Sequence, residues 1–294
     1  MLKCIDMSSD IRKIGPEEFP GLLNKIDDPP KVLYIRGTLP PKETLFLCFV
    51  GSRKAGEYGR KVSSKIIEGL AGYPVAIVSG LALGIDSFCH RAALDCGVPT
   101  VAIPGSGLDR KVIYPRSHQS LAEEIVRSGG ALLSEFPPDF KATKWSFPQR
   151  NRIMAGISQG VLVIEAELRS GSLITARLGL EYNREVCAVP GSIFSSGSSG
   201  VNHLIQQGAY PVTSAKDICE LFDLKKKEKT EKSFNRNLSD TEKKILELVS
   251  SPLKKNELIE RSEMPASKVN IAISSLQLKG LISETEGVIY PERD

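Results

Sequence analysis

The 294-residue chain holds one tryptophan, three histidines and six cysteines, and each scarcity closes off a class of chemistry. The cysteines, at positions 4, 48, 89, 96, 187 and 219, stand singly with no CxxC pair. A disulfide framework or a thiolate zinc site needs clustered cysteines, so these read as reduced, mostly buried thiols of a cytoplasmic protein. Asp86 and His90 share an i, i+4 spacing but lack a third ligand nearby, and neither HExxH nor an acidic cluster occurs. No metal site and no two-metal nuclease chemistry is therefore expected. No run of ~18 apolar residues is present to span a membrane. The leading MLKCIDMSSDIRKIG lacks the apolar core and cleavage site of a signal peptide. There is no GxGxxG fingerprint and no GxxxxGK[ST] loop, so no nucleotide cofactor is expected. A strong excess of one charge sign is lacking too. The net charge of +4 does not by itself announce a polyanion partner, and any nucleic-acid site must be a local cluster.

What is present is ordinary globular material, 41% hydrophobic and 25% charged, enough for one large domain and a small one. After a short N-terminal segment (1–30), β-branched runs alternate with amphipathic stretches from 31 to 224. The runs KVLYIRG, LFLCFVG, PVAIVSG, PTVAIPG, ALLSE, GVLVIEA and EVCAVPG read as strands. GRKVSSKIIEGLAG, GIDSFCHRAALDCG and SLITARLGLEYN read as helices between them. Continuous apolar strands alternating with helices predict a Rossmann-like α/β domain, its doubly wound, mostly parallel sheet covered on both faces. In such sheets ligands bind at the carboxyl edge of the strands. A basic linker, 225–236, follows. Residues 237–294 then predict a winged helix. Ser239 and Glu242 form a capping box, Pro265 suits the first turn of a later helix, and ISETEGVIYPE closes as a hairpin. From Arg236 onward nine Lys/Arg stand against ten Asp/Glu, and the expected recognition helix offers only Lys268 and Lys279. Duplex binding needs more phosphate neutralisation, so a protein-contact or regulatory role is the expectation there.

Two strand ends carry anion-binding chemistry. FVGSRKAGEYGR places Gly51, Ser52 and Arg53 at a βα turn, and EAELRSGSLITAR places Arg169, Ser170, Gly171 and Ser172 before the next helix. Free N–H groups, hydroxyls and a forked cation suit phosphate, although either loop alone is also an ordinary turn or cap. KWSFPQRNRIMAGIS interleaves Lys144, Trp145, Phe147, Arg150, Asn151 and Arg152 at a helix start. Ser146 is expected to cap it and Pro148 to occupy its first turn, with Lys144 and Phe147 on the approach and Arg150, Asn151 and Arg152 also in the first turn. Trp145 reads as core, whereas Phe147 beside Lys144 reads as exposed and suited to stacking bases of single-stranded nucleic acid. PGSGLDRKVIYPRSH, with Arg110, Lys111 and Arg116, is either a ligand-binding rim or a solvated loop. GISQG matches GxSxG in letters only, because a helix precedes it and a strand follows.

The motifs GSRKAGEYGR, SGLALGIDSFCHRAAL, PGSGLDRKVIYP, LLSEFPP, FPQRNRIMAGIS, VIEAELRSGSLITA and AVPGSIFSSGSSGVNHLI occur in the order of the DNA-processing protein A family (DprA, also called Smf), which the chain resembles. The resemblance implies single-stranded DNA binding without catalysis, recruitment of the RecA recombinase onto incoming DNA in natural transformation, and a homodimer. It implies that Gly51, Ser52 and Arg53 form a phosphate-gripping turn. Lys144 and Phe147 would contact DNA, with Asn151, Arg152, Gly171 and Ser172 beside the groove. Two departures stand out. Phe88-Cys89 replaces a smaller pair before His90, and only a short segment precedes EEFPGLLNKIDDPPKVLYIRG, so the N-terminal helical domain of many relatives is expected to be absent. The alternative is a Rossmann sensor or an N-glycosidic hydrolase for a free nucleotide. The PGGxGT loop of such hydrolases is replaced here by PGSGLD.

Overall fold

The structure, a computed structural model, describes residues 11–20, 22–226, 239–249, 251–278, 281–285 and 287–291. All of the expected linker except residues 225 and 226 lies outside that set, as does Lys279. The chain divides into two compact units, Met1–Lys227 and Glu228–Asp294.

The first unit begins with strands β1 (Arg12–Ile14), β2 (Leu33–Gly37) and β3 (Leu45–Val50) and helix α1 (Glu57–Gly69). It continues through β4 (Val75–Ser79), α2 (Ile85–Asp95), β5 (Thr100–Ala102), α3 (Gln119–Arg127) and β6 (Ala131–Ser134). Next come α4 (Ser146–Ile157), β7 (Gly160–Val163), α5 (Ser172–Glu181) and β8 (Glu185–Ala188). The unit closes with α6 (Ser199–Gln206), β9 (Tyr210–Pro211) and α7 (Ala215–Leu221). All seven expected strands form. They build one sheet in the order β1-β2-β6-β5-β4-β3-β7-β8-β9.

The pattern in β3 shows why the sheet is covered on both sides. Phe46, Cys48 and Val50 join one core with α4 and α5, while Leu47 and Phe49 join the other with α1 and α2. Successive strand residues point to opposite faces, so a strand with no polar position must be buried twice. Phe49 is fully buried, and removing such a side chain from water stabilises the fold by roughly 1.5–3 kcal/mol.

One strand departs from the parallel expectation. β2 pairs antiparallel to β6 with Tyr34 opposite Ser134, and β1 pairs antiparallel to β2. A buried antiparallel strand has the same continuous apolar composition as a parallel one, so its direction left no mark in KVLYIRG. The edge strands β1 and β9 are too short to have shown a period.

The second unit holds α8 (Asp240–Leu248), β10 (Leu253–Lys254), α9 (Lys255–Ser262), α10 (Ala266–Leu278), β11 (Ile282–Thr285) and β12 (Val288–Pro291). Its sheet order is β10-β12-β11, the three helices and wing of a winged helix. The capping box forms: Glu242 N–H donates to Ser239 Oγ at 3.3 Å, and Ser239 N–H donates to Glu242 Oε2 at 2.6 Å. Pro265 sits one residue ahead of α10, where its carbonyl accepts from Lys268 and Val269. Ile245, Leu258, Val269, Ile273, Leu276 and Ile289 pack the core between the helices and the wing.

Candidate functional site

From β3 the chain builds outward through β4, β5 and β6 on one side, then returns to place β7 on the other. The crevice between the carboxyl ends of β3 and β7 is therefore the topological switch point of the sheet. Both loops singled out by their glycines and hydroxyls meet there. Ser52 N–H donates to the Glu165 carbonyl at 2.7 Å, and the Ser52 carbonyl accepts from Ile85 N–H. A cleft of about 690 Å³ opens above this junction. Gly51, Ser52, Arg53, Lys144, Phe147, Arg150, Asn151, Gly171 and Ser172 all border it. Arg152 does not.

The cations divide by burial. Arg53, Lys54, Lys144 and Arg169 are exposed around the mouth, and none forms an ion pair among the described residues. Arg150 is the floor. It is 5% exposed, it donates to the Ile103 carbonyl, and burial lowers its pKa to about 10, with Asp86 opposing that shift. It remains a cation at neutral pH. Asp86 also borders the cleft and accepts from the N–H groups of Gly80 and Ala82 at 3.1 and 3.3 Å. Burial raises its pKa, while Arg150 and those two donors restrain the rise. Among the described residues no ion pair joins Asp86 to Arg150, and the charge of Arg53 also acts on Asp86.

The aromatic wall comes from two elements. Phe147, in the first turn of α4, is half-buried with its ring 5.6 Å from that of Tyr114. The Arg53 guanidinium lies 4.9 Å from the Phe147 ring centroid. A Cβ on Gly105 would fall 2.6 Å from Phe147 Cδ1, so that glycine makes room for the ring. Ser146 does not cap α4 through its side chain. It is buried as the first helical residue, and its hydroxyl donates to the Gly105 carbonyl at 2.6 Å, locking the helix start onto the loop after β5. Pro148 does fall in the first turn. Arg150, Asn151 and Arg152 come a turn later than expected.

Two further expectations need correcting. Trp145 is 55% exposed rather than core, and it packs edge-on against Phe136 and Phe140. Arg152 is turned away from the cleft, held by the Glu135 carboxylate and the Asp28 carbonyl. Its run of neighbours, RNR, gave no sign of which arginine would find a carboxylate. Sequence reasoning also missed Tyr114, and it weighed Asp86 as a metal ligand, not as part of the cleft. Tyr114 was detectable only as the aromatic in the PGSGLDRKVIYP loop, whose role stayed open.

The N-terminus of α1, the natural anion seat after β3, has a carboxylate of the protein itself close by, that of Glu165, whose buried Oε2 has no hydrogen-bond partner among the described residues. Glu165 turns its carboxylate toward the N–H groups of Gly56 and Gly59. A Cβ on Gly59 would lie 2.1 Å from its Oε2. Burial raises the Glu165 pKa, opposed by those N–H groups. His90 is buried, its Nδ1 2.8 Å from Thr100 Oγ1. The Thr100 hydroxyl proton goes to the Ile77 carbonyl, so His90 is the donor in that bond. Among the described residues no group of three or more His, Cys, Asp or Glu side chains is placed to hold a metal. Ser158 of GISQG is buried and donates to the Met154 carbonyl, a helix-end contact. No helix among the described residues is long and apolar enough to cross a membrane.

Fold and site together define a doubly wound α/β protein with a basic, aromatic-walled cleft at its switch point and a C-terminal winged helix. Residues 10–223 match the family described as DNA recombination-mediator protein A, and residues 229–287 match the DprA winged helix domain. The chain belongs to that family of DNA recombination mediators. It is 46% identical over 204 residues to Protein Smf of Escherichia coli, covering 69% of this chain and 54% of that protein. The match thus spans about half the length of the E. coli relative. It is 43% identical over 205 residues to the DNA processing protein DprA of Streptococcus pneumoniae, covering 70% and 71%. The S. pneumoniae DprA crystal structure superposes with a TM-score of 0.67 at 40% identity, over 73% of this chain and 75% of that one. DNA processing protein A from Helicobacter pylori, whose structure was described for its single-stranded DNA binding mode, gives 0.63 at 29% identity, over 73% and 97%.

Proposed function

We propose that the switch-point cleft binds single-stranded DNA and that the protein is a recombination mediator. In this reading it protects incoming strands and loads RecA during natural transformation, working as a homodimer. One observation carries the DNA assignment: four exposed cations, without an ion pair among the described residues, surround a half-buried phenylalanine and an exposed tyrosine on one wall. Cations track the phosphates of a flexible strand while aromatic rings stack its bases whatever their identity. Arg53 and Lys144 hold phosphates, and Phe147 meets a base. Gly51, Ser52, Gly171 and Ser172 present backbone and hydroxyl groups, and Arg150 with Asn151 supports the floor. The RecA and dimer roles rest on family membership alone. The free-nucleotide alternative is disfavoured because the Glu165 carboxylate, lying beside Gly59 near the start of α1, would repel a mononucleotide phosphate seated there.

The test is a gel-shift titration of oligo-dT with the Arg53→Ala/Lys144→Ala double variant. Losing two phosphate contacts lowers the salt dependence of log K by about 1.4, at ~0.7 for each. Unchanged affinity and salt slope would remove the cleft from the binding path. Tight mononucleotide binding with no dependence on oligonucleotide length would favour the alternative.

A further inference from the structure

A second cleft, about 630 Å³, lies between α3, the loop after β5 and the β1–β2 edge. Four cations border it, Arg36, Arg110, Lys111 and Arg127, against the carboxylates of Asp109 and Glu123. Its floor is built rather than incidental. Arg36 is 3% exposed and forked onto Glu123, with Nη1–Oε1 at 3.0 Å and Nη2–Oε2 at 2.6 Å. Its buried Nε has no hydrogen-bond partner. Because Glu123 is committed to Arg36, it does not neutralise the rim. Arg110, Lys111 and Arg127 are exposed and form no ion pair among the described residues.

Charge bookkeeping sets this cleft apart from ordinary surface. Its lining carries a net +2, and the switch-point cleft, with Glu167 and Asp86 as its acids, carries a net +3. Together these exceed the +4 of the entire chain, so the rest of the protein is close to neutral. The two clefts share an element: the loop after β5 sends Tyr114 to the first and Arg110 and Lys111 to the second. In sheet order β2 stands four strands from β3, or ~19 Å at ~4.8 Å per strand. A single-strand site of several nucleotides spans that distance.

We propose that this cleft is a second seat for the same DNA strand, one that holds the phosphodiester backbone and does not read bases. The inference rests on the single-strand reading of the switch-point cleft. No aromatic side chain lines the second cleft, so stacking belongs to the first and the second contributes charge alone.

The test compares the full chain with an Arg110→Ala/Lys111→Ala/Arg127→Ala variant on oligo-dT of ~6 and ~20 nucleotides, lengths that bracket one site and an extended path. The three side chains are exposed, so the variant should keep the wild-type melting temperature. The expected result is unchanged affinity for the short strand and a ~10- to ~100-fold loss for the long one. The salt slope on the long strand should fall by about 2, at ~0.7 per contact. A ~20-nucleotide strand whose far half is abasic should bind wild type as well as full oligo-dT does. Equal affinity of variant and wild type at both lengths overturns the proposal, as does an equal loss at both. A requirement for bases in the far half overturns it too. Failure of the first cleft reads differently, as an Arg53→Ala/Lys144→Ala variant that still binds the short strand normally. A wild-type protein that binds neither strand overturns both.

Discussion

Replacing Phe147 with alanine separates a base-stacking role from a packing role. The ring does two things: it packs half-buried against Tyr114 and Gly105, and it lies under the Arg53 guanidinium at 4.9 Å. Truncating a fully buried phenylalanine costs ~3–5 kcal/mol, so a half-buried one should cost ~2. In a domain of this size that lowers Tm by ~4–8 °C. For DNA, a stacked base contributes ~1–3 kcal/mol, and the cation–π contact that aims Arg53 adds ~0.5–1. Phe147→Ala should therefore weaken oligo-dT binding by ~10- to ~1000-fold, at ~1.4 kcal/mol per decade. Fluorescence anisotropy at fixed salt, well below Tm, measures this. Phe147→Leu should restore much of the stability but little of the affinity, since it fills space without a π-face. Gly105→Ala should give a similar binding loss by displacing the ring. A double-mutant cycle with Arg53→Ala should show coupling of ~0.5–1 kcal/mol. Phe147→Ala binding within ~2-fold of wild type would refute the stacking assignment.

Two further predictions concern stability. Burial lowers the His90 pKa from 6.5 to about 3, so its neutral form favours the folded state. That contribution is complete above the unfolded value and is lost as pH falls from 6.5 toward 3; by pH 5 it amounts to at most ~2 kcal/mol. Urea unfolding of His90→Gln should show a flatter pH dependence than wild type over that window, and parallel curves would rule the effect out. Ser239→Ala removes the hydroxyl of the winged-helix capping box and should destabilise that unit by ~1 kcal/mol, read as faster amide exchange in α8.

The sheet was legible because its strands are short, continuous apolar runs punctuated by Gly and Pro. Periodicity reports burial, however, and not direction, which is why β2 reads like its parallel neighbours. Within the cleft, the residues whose chemistry is local were legible: Gly51-Ser52-Arg53 and Gly171-Ser172 belong to turns that their own residue types specify. Side chains whose direction depends on a distant partner were not. Trp145 looks like core in a string of letters, yet its fate depends on Phe136 and Phe140 having already covered the interior. Arg150 and Arg152 are two residues apart in one helix and have opposite surroundings, one beneath the cleft and one on Glu135. Asp86, weighed in the sequence against a metal site with His90, sits buried in the first turn of α2, where the charge of Arg150 acts on it.

Glu165 bears on what kind of ligand the protein can discriminate. With its own carboxylate beside Gly59 near the start of α1, the chain sets a negative charge close to the seat where a doubly wound sheet would hold a small phosphate compound. The cations around the cleft are long exposed side chains, Arg53, Lys54, Lys144 and Arg169, rather than a fixed ring of backbone dipoles. A site of that kind trades selectivity for tolerance. If the proposed DNA role holds, such a site accepts any sequence of bases and disfavours the free nucleotides that would otherwise compete for it.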